Sequence, residues 1–236
     1  MASGREIELK FLVAEKDLPK VAALIAATAR AESHQHLRAI YFDTPRHDLW
    51  NRGFTLRVRA AGETYRQGIK RVISQTSARD EWEEALGGPL PDLEHISLSP
   101  LARLKDKSVI ARSLLPVFEI GADHACYSLG TATGLIEGSI DRGTIQANGA
   151  RLGICELELE LKSGSASDLF ALARSLVTQA TLQPSTIGKA ERGYLLATGA
   201  WRRAAKGSRP HLSVRGHALP AGVPRNLQNL LARLPP

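Results

Sequence analysis

Cysteine is scarce: there are two in 236 residues, Cys126 and Cys155, in neither a CxxC pair nor a disulfide framework. That excludes a disulfide scaffold and a thiolate zinc finger, and sets a reducing cytoplasm as the expected compartment. Long apolar runs are also missing. None approaches the ~20 residues that a membrane helix needs, so no membrane span is expected. The opening MASGREIELKFLVAEKD is charged from Arg5 onward and has no signal-peptide apolar core. Aromatic residues make up only 5%, which leaves no evident platform for stacking nucleobases. Gly62, Gly87-Gly88 and Gly121 form no phosphate loop, because GxxxxGK[ST] is absent.

The chain is nevertheless basic, with a formal charge of +7. Seven of its 31 Lys+Arg fall after Gly199, where no Asp or Glu occurs, so the body balances 24 basic against 24 acidic residues. The charge therefore belongs to the tail. Such a tail attracts polyanions without specificity. A neutral body without familiar recognition motifs argues against a specific nucleic-acid partner.

What the body does have is period-two alternation. Glu6-Ile-Glu-Leu-Lys10-Phe, Thr55-Leu-Arg57-Val-Arg59 and Cys155-Glu-Leu-Glu-Leu-Glu-Leu-Lys162 each place charge on one face and apolar groups on the other. Arg79-Asp-Glu81-Trp-Glu83 and Glu137-Gly-Ser139-Ile-Asp141 are weaker members of the same class. Turn signals separate them, among them Asp43-Thr-Pro45, Gly62-Glu, Asp141-Arg-Gly143 and Asn148-Gly149. The last is predicted to join Ile140–Gln146 to Ala150–Lys162 as a hairpin. Helices are fewer. They are expected after Asp17, after Ser99-Pro100, from Ser167, over Ala190–Ala197 and over Val223–Leu234. The segment after Gly199 reads as a linker.

The charged faces carry the information. Glu6, Glu8 and Lys10 are two acids then a base; Glu156, Glu158, Glu160 and Lys162 are three acids then a base; Arg57 and Arg59 are basic. Carboxylates at i, i+2 and i+4 stand ~7 Å apart on one face and repel unless cations intervene. The arrangement that resolves this is an α+β fold built on a closed antiparallel barrel, apolar positions outward under covering helices and charges inward. In its wet interior, acids could hold divalent cations while Lys and Arg hold a polyanion. Hard oxygen ligands favour Mg²⁺ or Mn²⁺.

Taken in order, the motifs resemble a known family. They are Glu6-Ile-Glu-Leu-Lys10; Tyr41-Phe-Asp-Thr-Pro45; Leu49-x-x-x-Gly53-x-x-Leu56-Arg57-Val-Arg59; Ile69-Lys70; Arg79-x-Glu81-x-Glu83; Glu137-x-x-x-Asp141-Arg-Gly143; Glu156 through Lys162-Ser-Gly164; and Lys189-Ala-Glu-Arg192-Gly-Tyr194. The set resembles the CYTH superfamily, the triphosphate tunnel metalloenzymes, and above all their bacterial inorganic triphosphatase branch. The likeness covers residues 4–199. It implies an eight-stranded antiparallel tunnel over residues 1–199, with 200–236 a basic linker toward a helical CHAD-type domain.

The resemblance also implies metal-dependent hydrolysis of tripolyphosphate to pyrophosphate and phosphate. Glu6, Glu8, Lys10, Glu158 and Glu160 would carry the catalysis. Lys10, Arg57, Arg59, Lys70, Arg79, Lys162, Lys189 and Arg192 would hold substrate. Glu6, Glu8, Glu158, Glu160, Glu137 and Asp141 would hold metal. Other chemistry on the same tunnel is the alternative: an adenylyl cyclase, a thiamine or nucleoside triphosphatase, or a non-catalytic polyphosphate-binding module.

One departure stands out. Where the family usually carries a tunnel arginine, this chain has His124 in Ile120-Gly-Ala-Asp-His124. A group that titrates near neutrality then replaces a permanent cation. If His124 faces the tunnel, triphosphate grip weakens above about pH 7, and the Michaelis constant rises there. His124→Arg should flatten that rise; an unchanged pH profile rejects the idea.

Overall fold

A computed structural model describes residues 7–71, 81–95 and 99–200. Glu6, Arg79 and the stretch 201–236, including the expected tail helix, lie outside the described residues. In chain order the elements are β1 (Glu8–Val13), α1 (Leu18–Ala26), β2 (Ala29–Asp43), α2 (Asp48–Asn51), β3 (Phe54–Ala61), β4 (Thr64–Arg71) and β5 (Glu81–Leu86). Then follow α3 (Lys107–Arg112), β6 (Leu115–Gly130), β7 (Leu135–Ala147), β8 (Ala150–Ser163), α4 (Ala166–Gln179), β9 (Leu182–Pro184) and α5 (Lys189–Ala197). Short 3-10 turns cover Glu15–Asp17, Leu93–His95 and Pro100–Arg103.

Local chemistry explains many of these boundaries. Asn148 and Gly149 both have positive φ, 48° and 74°, the backbone that a two-residue turn needs to match strand twist. They join β7 to β8 with Ala147 opposite Ala150. Ser165 caps α4 by accepting from the Ser167 N–H at 3.1 Å, two residues before the expected start. Ser99 caps its 3-10 turn through the Leu101 N–H at 3.2 Å. Asp17 occupies the N-cap position of α1, but its side chain makes no capping bond.

The strands form one antiparallel sheet in the order β5-β4-β3-β2-β6-β7-β8-β1-β9. The expected antiparallel α+β architecture holds, with two corrections. Among the described residues the strands number nine rather than eight, and the ladder has two ends, with no pairing that joins β5 to β1. The outer edge of β1 pairs instead with β9 along Phe11, Leu12 and Val13. The charged face is still recessed rather than open to bulk solvent. The side chains of Arg57 and Glu81 near one end are only 18% and 15% exposed.

Residues opposite one another across a ladder share a face, so the registers show what each face carries. Leu9, Leu159 and Gly138 fall on one side, as do Phe42, Leu56, Ile69 and Trp82 on the other half of the sheet. This side is apolar. Val21 and Ile25 of α1 with Leu169, Ala173 and Leu176 of α4 cover it over β1, β7 and β8. Leu49 of α2, Leu93, Leu101 and Ile110 of α3 cover it over β3 and β4.

The opposite face carries the charges, and α5 docks on it. Tyr194 packs with Tyr41, Phe118, Ile120 and Ile145, edge-on to Phe118 at 5.1 Å and stacked on Trp50 at 4.3 Å. Its hydroxyl donates to buried Asp43 at 3.0 Å, and Asp43 also accepts from the N–H groups of Leu49 and Trp50. Gly193 makes this docking possible, because a Cβ there would overlap the Phe118 ring. Gly193→Ala therefore tests the packing. Helix propensity alone favours alanine by ~1 kcal/mol, whereas overpacking costs ~1–3 kcal/mol. A lower urea midpoint is the expected result, and a higher one would show that α5 is loosely seated.

Candidate functional site: two charged lobes on one face

The charged face divides into a basic lobe on β3, β4 and β5 and an acidic lobe on β1, β7 and β8. In the basic lobe, Arg57 lies opposite Gly68, which lies opposite Glu83; Arg59 lies opposite Arg66, and Lys70 opposite Glu81. Gly68 leaves room for the Arg57 side chain, since a Cβ there would sit 3.0 Å from Nε. Arg57 Nη2 donates to Glu81 and Glu83, both at 2.9 Å. Arg59 Nη2 reaches Glu83 at 3.1 Å, Arg66 Nε reaches it at 3.3 Å, and Lys70 pairs with Glu81 at 2.7 Å. Burial alone would raise the Glu83 carboxyl, but the Arg57 and Arg59 guanidiniums outweigh it and hold the group below the ordinary range. Arg59 is shifted down, first by burial and then by repulsion from Arg57, despite Glu83.

The acidic lobe is built in registered rows. Glu8, Glu160 and Glu137 form the first; Lys10, Glu158 and Ser139 the second; Glu156, Asp141 and His124 the third. Carboxylate oxygens of Asp141, Glu156 and Glu158 lie within 4.8 Å of one another. The Lys189 ammonium, delivered by the first residue of α5, sits among them, 2.6 Å from Asp141 and 2.8 Å from Glu158 and also bonded to Glu156. Arg192, one turn on, is buried against Glu156. Lys10 bridges Glu158 at 3.0 Å and Glu8 at 3.3 Å, and Lys162 bridges Glu160 at 2.8 Å and Glu137 at 3.2 Å.

These contacts set the protonation states. Burial opposes charge on Glu158, but Lys189 and Lys10 prevail and keep it well below the usual carboxylate range. Asp141 is likewise held down against burial by Lys189 and His124. Burial would also strip the proton from Lys189, yet Glu156, Glu158 and Asp141 hold it firmly. The Cys126 thiol, on the same face, is pushed up to about 11 by burial and then by Glu137.

Of the residues singled out from sequence, the structure gathers Glu8, Lys10, Glu137, Asp141, Glu158, Glu160, Lys162, Lys189 and Arg192 in one lobe. Arg57, Arg59 and Lys70 stand in the other. His124 faces the charged side, with Nδ1 2.7 Å from Asp141 Oδ1. The lobes also hold charged residues outside the expected site set, among them Glu83, Glu156 and Arg66. Glu156 shares the parity of Glu158 and Glu160, which was signal enough. Arg66 has no such cue beyond standing four residues before Lys70 on the same strand.

A family model for the CYTH domain matches residues 4–194. This chain belongs to the CYTH domain family. Among curated proteins it is similar to an inorganic triphosphatase from Haemophilus influenzae, 29% identical over 201 residues, which cover 82% of this chain and 55% of that protein. The chain thus spans about half the length of that relative. Among solved structures it is similar to HpAC1 from Hippeastrum, described as revealing a dominant triphosphatase activity, with TM-score 0.55 and 14% identity over 90% of this chain and 99% of that one. It is also similar to the PH1819 protein from Pyrococcus horikoshii OT3, with TM-score 0.51 and 16% identity over 82% of this chain and 99% of that one. At these identities the structures show the CYTH fold. No helix among the described residues is long and apolar enough to cross a membrane.

The depressed Glu83 gives a pH test of the basic lobe. A lowered folded-state pKa contributes stability that is present above the unfolded value, ~4.3, and is lost as pH falls through the folded one. Glu83→Gln should cost ~1–3 kcal/mol at neutral pH. Its deficit relative to wild type should shrink below about pH 4. Urea unfolding at pH 7 and pH 3 measures both; a deficit of equal size at the two would show that the ion pairs contribute nothing.

Proposed function

We propose that this protein is a metal-dependent triphosphatase that cleaves inorganic tripolyphosphate to pyrophosphate and phosphate. The observation that carries the reading is the Lys189 ammonium held among Asp141, Glu156 and Glu158. The pocket has the charge and the hard oxygen donors for a divalent cation, and the chain fills it with a cation of its own. Mg²⁺ or Mn²⁺ fits that donor set. Glu8, Glu158 and Glu160, with Glu137 and Asp141 and now Glu156, are the residues that would hold it. A bound divalent ion supplies Lewis acidity and neutralises phosphate charge.

The chain's own cations do the rest. Lys10, Arg57, Arg59, Lys70, Lys162, Lys189 and Arg192 grip phosphate oxygens, the arginines bidentately and the lysines as point charges. Fixed cations around the breaking anhydride stabilise charge that spreads onto the equatorial oxygens. Water is the nucleophile. Cys126, whose thiol is pushed up to about 11, stays protonated at neutral pH and offers no thiolate.

Two features favour an inorganic substrate over a nucleotide. The aromatic rings on this face, Tyr41, Phe118 and Tyr194, are packed on one another, with Tyr41 stacked on Phe118 at 4.4 Å. Among the described residues these three rings and Trp50 are engaged with one another. Among the described residues the registered rows of the two lobes carry mainly ionic and small polar groups. A cytoplasmic setting agrees with two unpaired cysteines.

Phosphate release from tripolyphosphate, ATP and thiamine triphosphate, each with Mg²⁺ and Mn²⁺, tests the reading. Tripolyphosphate should turn over at least ~10-fold faster than the others, and Glu158→Gln should lower its rate ~100-fold or more while tripolyphosphate still binds. Equal turnover of ATP would reject the inorganic substrate. Binding without turnover in either metal would reject the enzyme.

A further inference from the structure

In the basic lobe Glu83 alone serves three guanidiniums, those of Arg57, Arg59 and Arg66. Arg59 and Arg66 are directly opposite in the β3–β4 register, where like charges destabilise a sheet. Glu83 offsets this only in part. Arg66 engages Glu83 through Nε alone, at 3.3 Å, and is 41% exposed. Among the described residues its two terminal amino groups have no acceptor.

The space beside them is shaped. Arg59 and Arg66, with Thr64, Gln35 and Leu37, line a hollow of roughly 120 Å³ where the β3–β4 hairpin ends against β2. That is several times the ~30 Å³ that a water occupies in the liquid. Its lining residues bring together two arginines, a side-chain amide, a hydroxyl and Leu37, and include no carboxylate. Two arginines lining one small hollow supply the paired N–H donors that a tetrahedral oxyanion accepts.

We infer that this hollow is a subsite for one phosphoryl group of a linear polyphosphate, and that Arg66 is a substrate-binding residue alongside Arg59. The inference rests on the triphosphate reading and deepens it. The anion displaces Arg66 from sole reliance on Glu83 and relieves the Arg59–Arg66 opposition, so its binding is driven partly by repulsion already present in the free protein.

Tripolyphosphate binding by calorimetry, in wild type, Arg66→Gln, Arg66→Lys, Glu83→Gln and the Glu83→Gln/Arg66→Gln double variant, tests this without turnover. Circular dichroism confirms that each is folded. Arg66→Gln should weaken binding about tenfold, as expected for the loss of a charge-assisted contact. Lysine should recover part of the loss. The deciding comparison is made without Glu83. If Arg66 touches phosphate, removing it from Glu83→Gln still costs about fivefold or more. If Arg66 acts only by positioning Glu83, its removal there changes nothing and the inference falls. No binding of tripolyphosphate to wild type would overturn the triphosphate reading as well, which separates the two failures.

Discussion

Alternation at period two, cleanest in β1, β3 and β8, is the constraint from which the rest follows. On β1, β3 and β8 it sends Leu9, Phe11, Leu56, Val58, Leu157 and Leu159 to one face and Glu8, Lys10, Arg57, Arg59, Glu156, Glu158 and Glu160 to the other. Once the strands pair, carboxylates and cations must meet across ladders, because the helices on the far side seal off any alternative. The charged face is therefore an electrostatic network by necessity. Each carboxylate cluster is stable only with a cation placed in it, and the chain supplies these from neighbouring strands and from α5. Breaking one partner of such a pair leaves a half-buried charge uncompensated, which costs more than the intact pair gains.

The network has a functional side. A site that binds a highly charged anion and a divalent cation must be charged before either arrives, and must survive that interval. Here the carboxylates are paired with lysines and the guanidiniums with Glu81 and Glu83. Ligands then compete with protein partners rather than with bulk water, and the cost of assembling like charges is met during folding. This is preorganisation: the groups are already oriented, and less is lost on binding.

Much of this was legible in the sequence wherever alternation was clean. β1, β3, β8 and the β7–β8 hairpin follow directly from charge at every second position and from Asn148-Gly149. The first half of β2 did not show itself, because Ala29–His36 is polar at nearly every position and runs largely exposed. A strand without an apolar face has no period to read. The helices α2 and α3 are too short to display periodicity, and their place depends on the buried Asp43 carboxylate and on apolar contacts distant in sequence. Residue types told of acids and bases on a shared face; they did not tell which base meets which acid. Lys189 reads as a phosphate ligand by its motif, yet its position among three carboxylates depends on where α5 docks, and that is set by Tyr194, Gly193 and Phe118. Glu156 was visible by parity, and only the register placed it beside Asp141.

The docking of α5 has a consequence for assembly. The helix brings both the aromatic plug and the ammonium that neutralises the acidic triad, and it lies some 30 residues beyond the last of those acids. As the polypeptide emerges during synthesis, β7 and β8 can pair before that counter-charge exists. Until Lys189 arrives, Asp141, Glu156 and Glu158 lack that ammonium and repel one another. Order of emergence, and not the finished contacts alone, decides when this half of the cleft becomes habitable for its own charges.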